Sequence, residues 1–326
     1  MDPPHRTSKD AQVSIPVLAI AITPIAPMLV EIDPNSGFCF GVVRAIELAE
    51  AELKNQQQFL CLGDIVHNGA EVQRLETDGL QTIYYPDLPQ YPGKRILFRA
   101  HGEPPTTYQQ AQELGMQIVD ATCPVVLQLQ RRVKKAGERL LACQGQIVIF
   151  GKPDHAEVNG LRGQTSCLVH VVQSVADLNA IDWTRPTECF SQTTMSAKDY
   201  KTLTEAIAER MRKIHGAKIP LQVNESTCHQ VANRHESIQT FAREHDAILF
   251  VSGKKSSNGK MLFEECQKVN PRTYFTTGIE DIRTEWLAGV QRLGICGATS
   301  TPRWLMEAVA KQATEISNRQ TKRAYK

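Results

Sequence analysis

The sequence predicts an α/β protein made of three similar units, each with a mostly parallel sheet, packed pseudo-threefold around one centre. Three observations carry that expectation. A cysteine in a Gly, Pro or Thr-rich turn precedes a helix-period segment and then a β-rich run, and this happens three times, from Cys39, Cys123 and Cys228. A polar residue stands four positions after a glycine that closes each run: Gly63 to His67, Gly151 to His155, Gly253 to Ser257. Each copy then has a second strand-like run ending in a small-polar loop. Strand, loop and helix in that alternation read as βα units with parallel strands, whose ligands gather beyond the strand carboxyl ends.

In the first copy GFCFGV leads into the helical AIELAEAELK and the strand QFLCLGDIVHN, with ILFRAHGEPP as second strand and loop. The second copy runs ATCPVV, LQLQRRVKKAGERLLA, QIVIFGKPDHAE and ECFSQTTMS. The third runs STCHQVANR, ESIQTFAREH, AILFVSGKKSSN and LGICGATSTP. The helical segments repeat their apolar residues at three-to-four spacing, and the strands are short Ile, Val and Phe-rich runs bounded by Gly and Pro. The expected divisions are 1–27 as a disordered extension, 28–122, 123–227 and 228–310 as the three α/β units, and 311–326 as a flexible, basic tail. The apolar stretch from Ile15 to Val30 is interrupted by Pro16, Pro24 and Pro27, too broken for a membrane span or a targeting core.

Composition narrows the function classes. A formal charge of +2 over 326 residues leaves no surplus of Lys and Arg for a polyanion, so neither nucleic acid nor a membrane is an expected partner. Nine cysteines, an odd number with no CxxC pair, point away from a disulfide scaffold and toward a reducing, cytoplasmic setting with thiols available for metal.

Threefold packing brings Cys39, Cys123 and Cys228 to one point, each at a helix start where the thiolate is favoured. A free cysteine is ordinarily a small buried apolar residue, but a shared register across three units is not explained by packing. Three protein ligands leave a structural zinc site incomplete, whereas a four-iron cluster held by three cysteines keeps one iron open. The other six cysteines share no register. His67, His101, His155, Ser256, Ser257, Asn258 and Ser300 lie on the same set of loops and make a donor-rich lining suited to a phosphate or diphosphate. Glu157, two residues after His155, is the expected acid, with Thr193 and Thr194 orienting it or holding a substrate hydroxyl.

Taken together GFCFGV, IVHN, AHGEPP, DATCP, HAEVNG, SQTT, KSSN and GATSTP resemble, in order, the motifs of the 4-hydroxy-3-methylbut-2-enyl diphosphate reductase family, from Met28 to about Val309. The resemblance implies a trefoil of three α/β domains around one 4Fe-4S cluster with three cysteine ligands and one open iron. It implies reductive dehydroxylation of an allylic diphosphate to isopentenyl and dimethylallyl diphosphate, with electrons from a ferredoxin or flavodoxin. Glu157 then protonates the departing hydroxyl with His155 and Thr193 assisting, and the diphosphate lies against His67, His101, Ser256, Ser257, Asn258 and Ser300. Departures from the familiar pattern stand at Phe40, His229, Val231 and Ala298, and HAEV replaces HPEV. None removes a proposed ligand. The competing expectations are a zinc hydrolase using the same cysteines and a non-enzymatic iron-sulfur sensor.

Overall fold

The structure, a computed structural model, describes residues 28–55, 58–254 and 256–324, with backbone alone at 229–233, 235, 257 and 321–324. The extension expected over 1–27 lies outside them. The chain opens with β1 (Leu29–Ile32) and α1 (Phe40–Asn55), followed by β2 (Phe59–Leu62), α2 (Gly69–Thr77), β3 (Leu80–Ile83), β4 (Arg95–Phe98), α3 (Pro105–Glu113) and β5 (Gln117–Asp120). Then come α4 (Pro124–Ala142), β6 (Gln146–Phe150), α5 (Ala156–Arg162), β7 (Leu168–Val172), β8 (Thr187–Ser191), α6 (Ala197–His215) and β9 (Leu221–Val223). The last group is α7 (His229–Arg243), β10 (Ala247–Val251), α8 (Ser257–Val269), β11 (Thr273–Thr276), β12 (Arg292–Gly297) and α9 (Arg303–Ala324).

These strands form three four-stranded sheets in the orders β3-β2-β4-β5, β7-β6-β8-β9 and β11-β10-β12-β1, and the pairings are parallel. Helices cover both faces, so the inner strands are buried along their whole length and read as unbroken apolar runs rather than alternating ones. In the second unit Ile147 and Ile149 pack with Leu129 and Val133 of α4, while Val148 and Phe150 pack with Leu203 and Ile207 of α6. That alternation is the two-residue period of a strand dividing its side chains between two helical layers.

The expected boundary at residue 28 is corrected by the first strand. β1 belongs to the third sheet, where Leu29–Ile32 lie beside Arg292–Ile295 of β12. The third sheet thereby acquires the edge strand that β5 and β9 supply to the other two. In all three sheets the edge strand runs directly into a cysteine: β5 to Cys123, β9 to Cys228, β1 to Cys39. The expected flexible tail is also corrected, because α9 continues to Ala324 and packs Ala313 and Ile316 into the third core. Among the described residues no helix is long and apolar enough to cross a membrane.

Candidate functional site

Each cysteine sits at a helix start and is fixed there by the same backbone bond. The amide of Cys123 donates to Ala100 O at 3.0 Å, that of Cys228 to Thr193 O at 2.8 Å and that of Cys39 to Thr299 O at 3.3 Å. The acceptors follow β4, β8 and β12, so the edge strand continues its pairing one step past the sheet and delivers its cysteine to the loop beyond the third strand. The three thiols, all half-buried, line one cavity of about 640 Å³ together with residues from every unit. α1 and α4 meet there so closely that a Cβ on Gly41 would come within 2.8 Å of Cys123 Sγ.

Burial pushes the Cys123 thiol up, the amides of Val125 and Val126 at the start of α4 oppose this, and Cys39 and Cys228 raise it further. Mutual opposition of three thiolates is relieved by a shared cation, so the arrangement fits an iron-sulfur core. The remaining cysteines are elsewhere: Cys61, Cys189 and Cys296 in buried strands, Cys266 in α8, Cys167 buried ahead of β7, Cys143 exposed after α4.

The histidines come from the loops that precede α2, α3 and α5. His67, His101 and His155 form a triangle with ring centroids 5.2, 5.5 and 5.3 Å apart. His155 caps α5, its Nδ1 accepting the Glu157 amide at 3.2 Å, so its proton rides on Nε2. Removal from water holds all three imidazoles down, His101 well below the ordinary range and His155 to about 4, and the Arg99 guanidinium adds to this in each case. Their ring nitrogens lie within 4.8 Å of one another, close enough to attract a transition metal. The adjacent Arg99 charge makes an anion the better-matched ligand.

The structure moves the expected glycine register by one residue in the third unit. Gly63 donates to Ile83 O, Gly151 to Val172 O, and Ser252, not Gly253, donates to Thr276 O. The residue four positions on from Ser252 is Ser256, so Ser256 is the counterpart of His67 and His155, and like His155 it caps its helix, accepting the Gly259 amide at 3.0 Å. Ser257 is the first residue of α8, and its side chain lies outside those described. Ser300 Oγ reaches Ser256 Oγ at 3.3 Å. Asn258 Oδ1 takes both the amide and the hydroxyl of Thr299, at 3.3 and 3.1 Å, which leaves its buried Nδ2 without a partner and available to a ligand.

Glu157 is 2% exposed and accepts two bonds from Thr193, the amide on Oε1 at 2.6 Å and the hydroxyl on Oε2 at 2.8 Å. Desolvation outweighs both bonds and pushes this carboxyl up to about 7. A carboxyl so poised is about half protonated near neutral pH and can release its proton through the adjacent hydroxyl. Thr194 lines the cavity and accepts from Gln192 Nε2 at 2.7 Å.

Four contributors were not legible beforehand. Thr299 ties Cys39 to Asn258 through its carbonyl and hydroxyl. Gln192 links Thr194 to the Lys152 amide. Arg99 and Glu103 are buried beside the histidines; their signal was two charges flanking His101 directly after an apolar strand. Of the departures, Phe40 is exposed and Ala298 is buried in the third core, while the side chains of His229 and Val231 lie outside those described.

A family model described as LytB protein matches residues 30–314. A 4-hydroxy-3-methylbut-2-enyl diphosphate reductase of Parabacteroides distasonis is 50% identical over 288 residues, 88% of this chain and 98% of that protein. One of Porphyromonas gingivalis is 48% identical over 283 residues, covering 86% and 96%. A solved structure described as (E)-4-hydroxy-3-methyl-but-2-enyl diphosphate reductase, the terminal enzyme of the non-mevalonate pathway, aligns with a TM-score of 0.67 at 30% identity, covering 88% of this chain and all of that one. The structure of the corresponding reductase from Plasmodium falciparum shares the fold, with a TM-score of 0.73 at 24% identity and 86% of each chain covered.

Proposed function

The chain belongs to the LytB protein family, and from that premise we infer what its cavity does. It is an oxidoreductase that removes the hydroxyl of 4-hydroxy-3-methylbut-2-enyl diphosphate to give isopentenyl and dimethylallyl diphosphate, the last step of the non-mevalonate route. The observation that carries the assignment of roles is the convergence of three thiols, a protonatable buried carboxyl and a set of diphosphate donors on one cavity.

Cys39, Cys123 and Cys228 would hold a 4Fe-4S cluster, which when bound supplies electrons one at a time and one iron lacking a protein ligand. The protein residues divide the rest. Asn258 Nδ2, the hydroxyls of Ser256, Ser257 and Ser300 and the imidazoles of His67, His101 and His155 bind the diphosphate, helped by the N-termini of α5 and α8. Neutral imidazoles serve here as donors from Nε2 at His155, so binding does not wait on histidine protonation. Glu157 protonates the departing hydroxyl. Thr193 holds both carboxylate oxygens and, by turning its hydroxyl, accepts the acid proton on one side while donating toward the cavity on the other. Thr194 orients the hydroxyl-bearing end of the substrate. Burial of Glu157 and Thr193 at the cavity wall keeps water from competing for the proton.

The electron donor is a ferredoxin or flavodoxin, and the enzyme works in the cytoplasm, where its unpaired thiols stay reduced. Anaerobic reconstitution followed by assay with the allylic diphosphate and a one-electron donor tests the reading. Brown protein with about four irons per chain and turnover is expected. Zinc without acid-labile sulfide, or a colourless protein with full activity, overturns it.

A further inference from the structure

We propose that Arg99 and Glu103, buried behind the cavity, form with half-buried Tyr85 and exposed Asn159 a network that positions the three histidines for the diphosphate, making Arg99 a positioning residue that never touches substrate. The inference rests on the diphosphate reading of that cavity. Arg99 is 9% exposed and Glu103 fully buried, and the Arg99 Nε and Glu103 Oε1 atoms face each other at 4.0 Å with no other partner.

The network touches every segment that carries a histidine. Arg99 Nη1 donates to Asp64 O at 3.2 Å, in the loop that leads to His67. The fit there is close: Gly63 has φ +74° and a Cβ on it would fall 2.4 Å from the guanidinium carbon. Arg99 is itself two residues from His101, and the turn between Arg99 and Gly102 closes with an amide-to-carbonyl bond of 3.1 Å. Glu103 Oε2 accepts the Tyr85 hydroxyl at 2.5 Å, and that hydroxyl accepts from Asn159 Nδ2 at 3.3 Å. Asn159 lies on α5, two residues past Glu157 and four past His155. α5 also packs directly on the His101 loop, where a Cβ at Gly160 would meet Gly102 O at 2.9 Å. One chain of contacts therefore runs from the His67 loop through the His101 loop to the helix capped by His155.

The guanidinium also sets the charge on the other side. It acts on His67, His101 and His155 alike, joined by Lys152 at His67 and His155, while Asp64 opposes it at His67. A fixed cation behind neutral donors favours a polyanion without offering a competing direct ligand. Glu103 faces the guanidinium at 4.0 Å, but burial pushes its carboxyl up, so it offsets the cation in part and leaves a positive field at the histidines.

The test uses the cluster-loaded enzyme, with calorimetric titration of inorganic diphosphate beside steady-state kinetics on the substrate. Arg99→Met should raise both the diphosphate Kd and the KM about tenfold at pH 8 while kcat stays within about threefold. Arg99→Lys should restore part of the affinity, since the charge returns without the fork. Should Arg99→Met not fold, Tyr85→Phe breaks the bridge to α5 at a half-buried position and should raise KM about threefold with kcat unchanged. Wild-type binding of diphosphate with unchanged Kd and KM in Arg99→Met and Tyr85→Phe overturns the network alone, as does a loss confined to kcat. No diphosphate binding by the wild type overturns the cavity reading beneath it.

Discussion

Replacing Glu157 with Gln isolates the proton from the shape that holds it. The amide keeps one oxygen to accept the Thr193 amide now bonded to Oε1 at 2.6 Å, and its NH2 can donate to the Thr193 hydroxyl, which turns to accept. The cavity therefore keeps its geometry while losing its acid, and turnover should fall by about 10² to 10⁴, the ordinary worth of a positioned general acid. The same substitution has a calculable effect on stability. Burial moves the Glu157 carboxyl from 4.5 to about 7. At about 1.4 kcal/mol per pH unit this is about 3 kcal/mol against the ionised form. Because the folded value is raised, the favourable contribution of the neutral acid is complete below about pH 4.5 and is lost as pH rises to about 7. Glutamine does not titrate, so the stability of Glu157→Gln relative to wild type should increase by about 3 kcal/mol between pH 4 and pH 8. Single-turnover kinetics and denaturant unfolding across that range check both statements. Wild-type kcat should also decline as pH climbs through about 7. A variant that keeps more than about a tenth of wild-type turnover refutes the assignment of the acid. A pH-independent stability difference refutes the account of its burial.

Thr193→Val removes a hydroxyl bond that holds the Glu157 carboxyl down, so the high-pH limb of kcat should move upward; an unchanged limb would mean that this bond does not tune the acid. Substituting Ala at Cys39, Cys123 or Cys228 should abolish most bound iron and the visible absorbance in anaerobic preparations. Ala at exposed Cys143 should leave both intact, and equal iron in all four variants would refute the ligand assignment. Gly41→Ala drives a methyl to 2.8 Å from Cys123 Sγ, so cluster retention on air exposure should shorten several-fold with secondary structure unchanged by circular dichroism.

The four-residue strand β1 shows where the sequence was insufficient for the fold. Its pairing partner β12 lies about 260 positions away, and nothing in LVEI itself says which edge it will complete. Proximity along the chain assigned it to the first unit; edge pairing assigned it to the third. The one-residue slip at Ser256 has a similar origin. Gly253 imitates the strand-ending glycines Gly63 and Gly151, but the strand ends a residue earlier and Ser252 takes the ladder bond. α9 was underestimated because its outer face is polar, while Ala313 and Ile316 find the third core only once β1 and β12 have made it.

The sequence by itself determined the repeating β–loop–α order, the three cysteines at helix starts, Glu157 beside His155 and most of the donor loops, because each is a local pattern of residue type and spacing. Tertiary structure alone decided that the edge strands hand their cysteines to the loops after β4, β8 and β12. It decided that Thr193 grips Glu157 from 36 residues away and that Arg99 stands behind all three histidines. Those relations depend on distances between segments remote in sequence, set by how three sheets close around one cavity, and through burial they govern which groups hold protons and which hold charge.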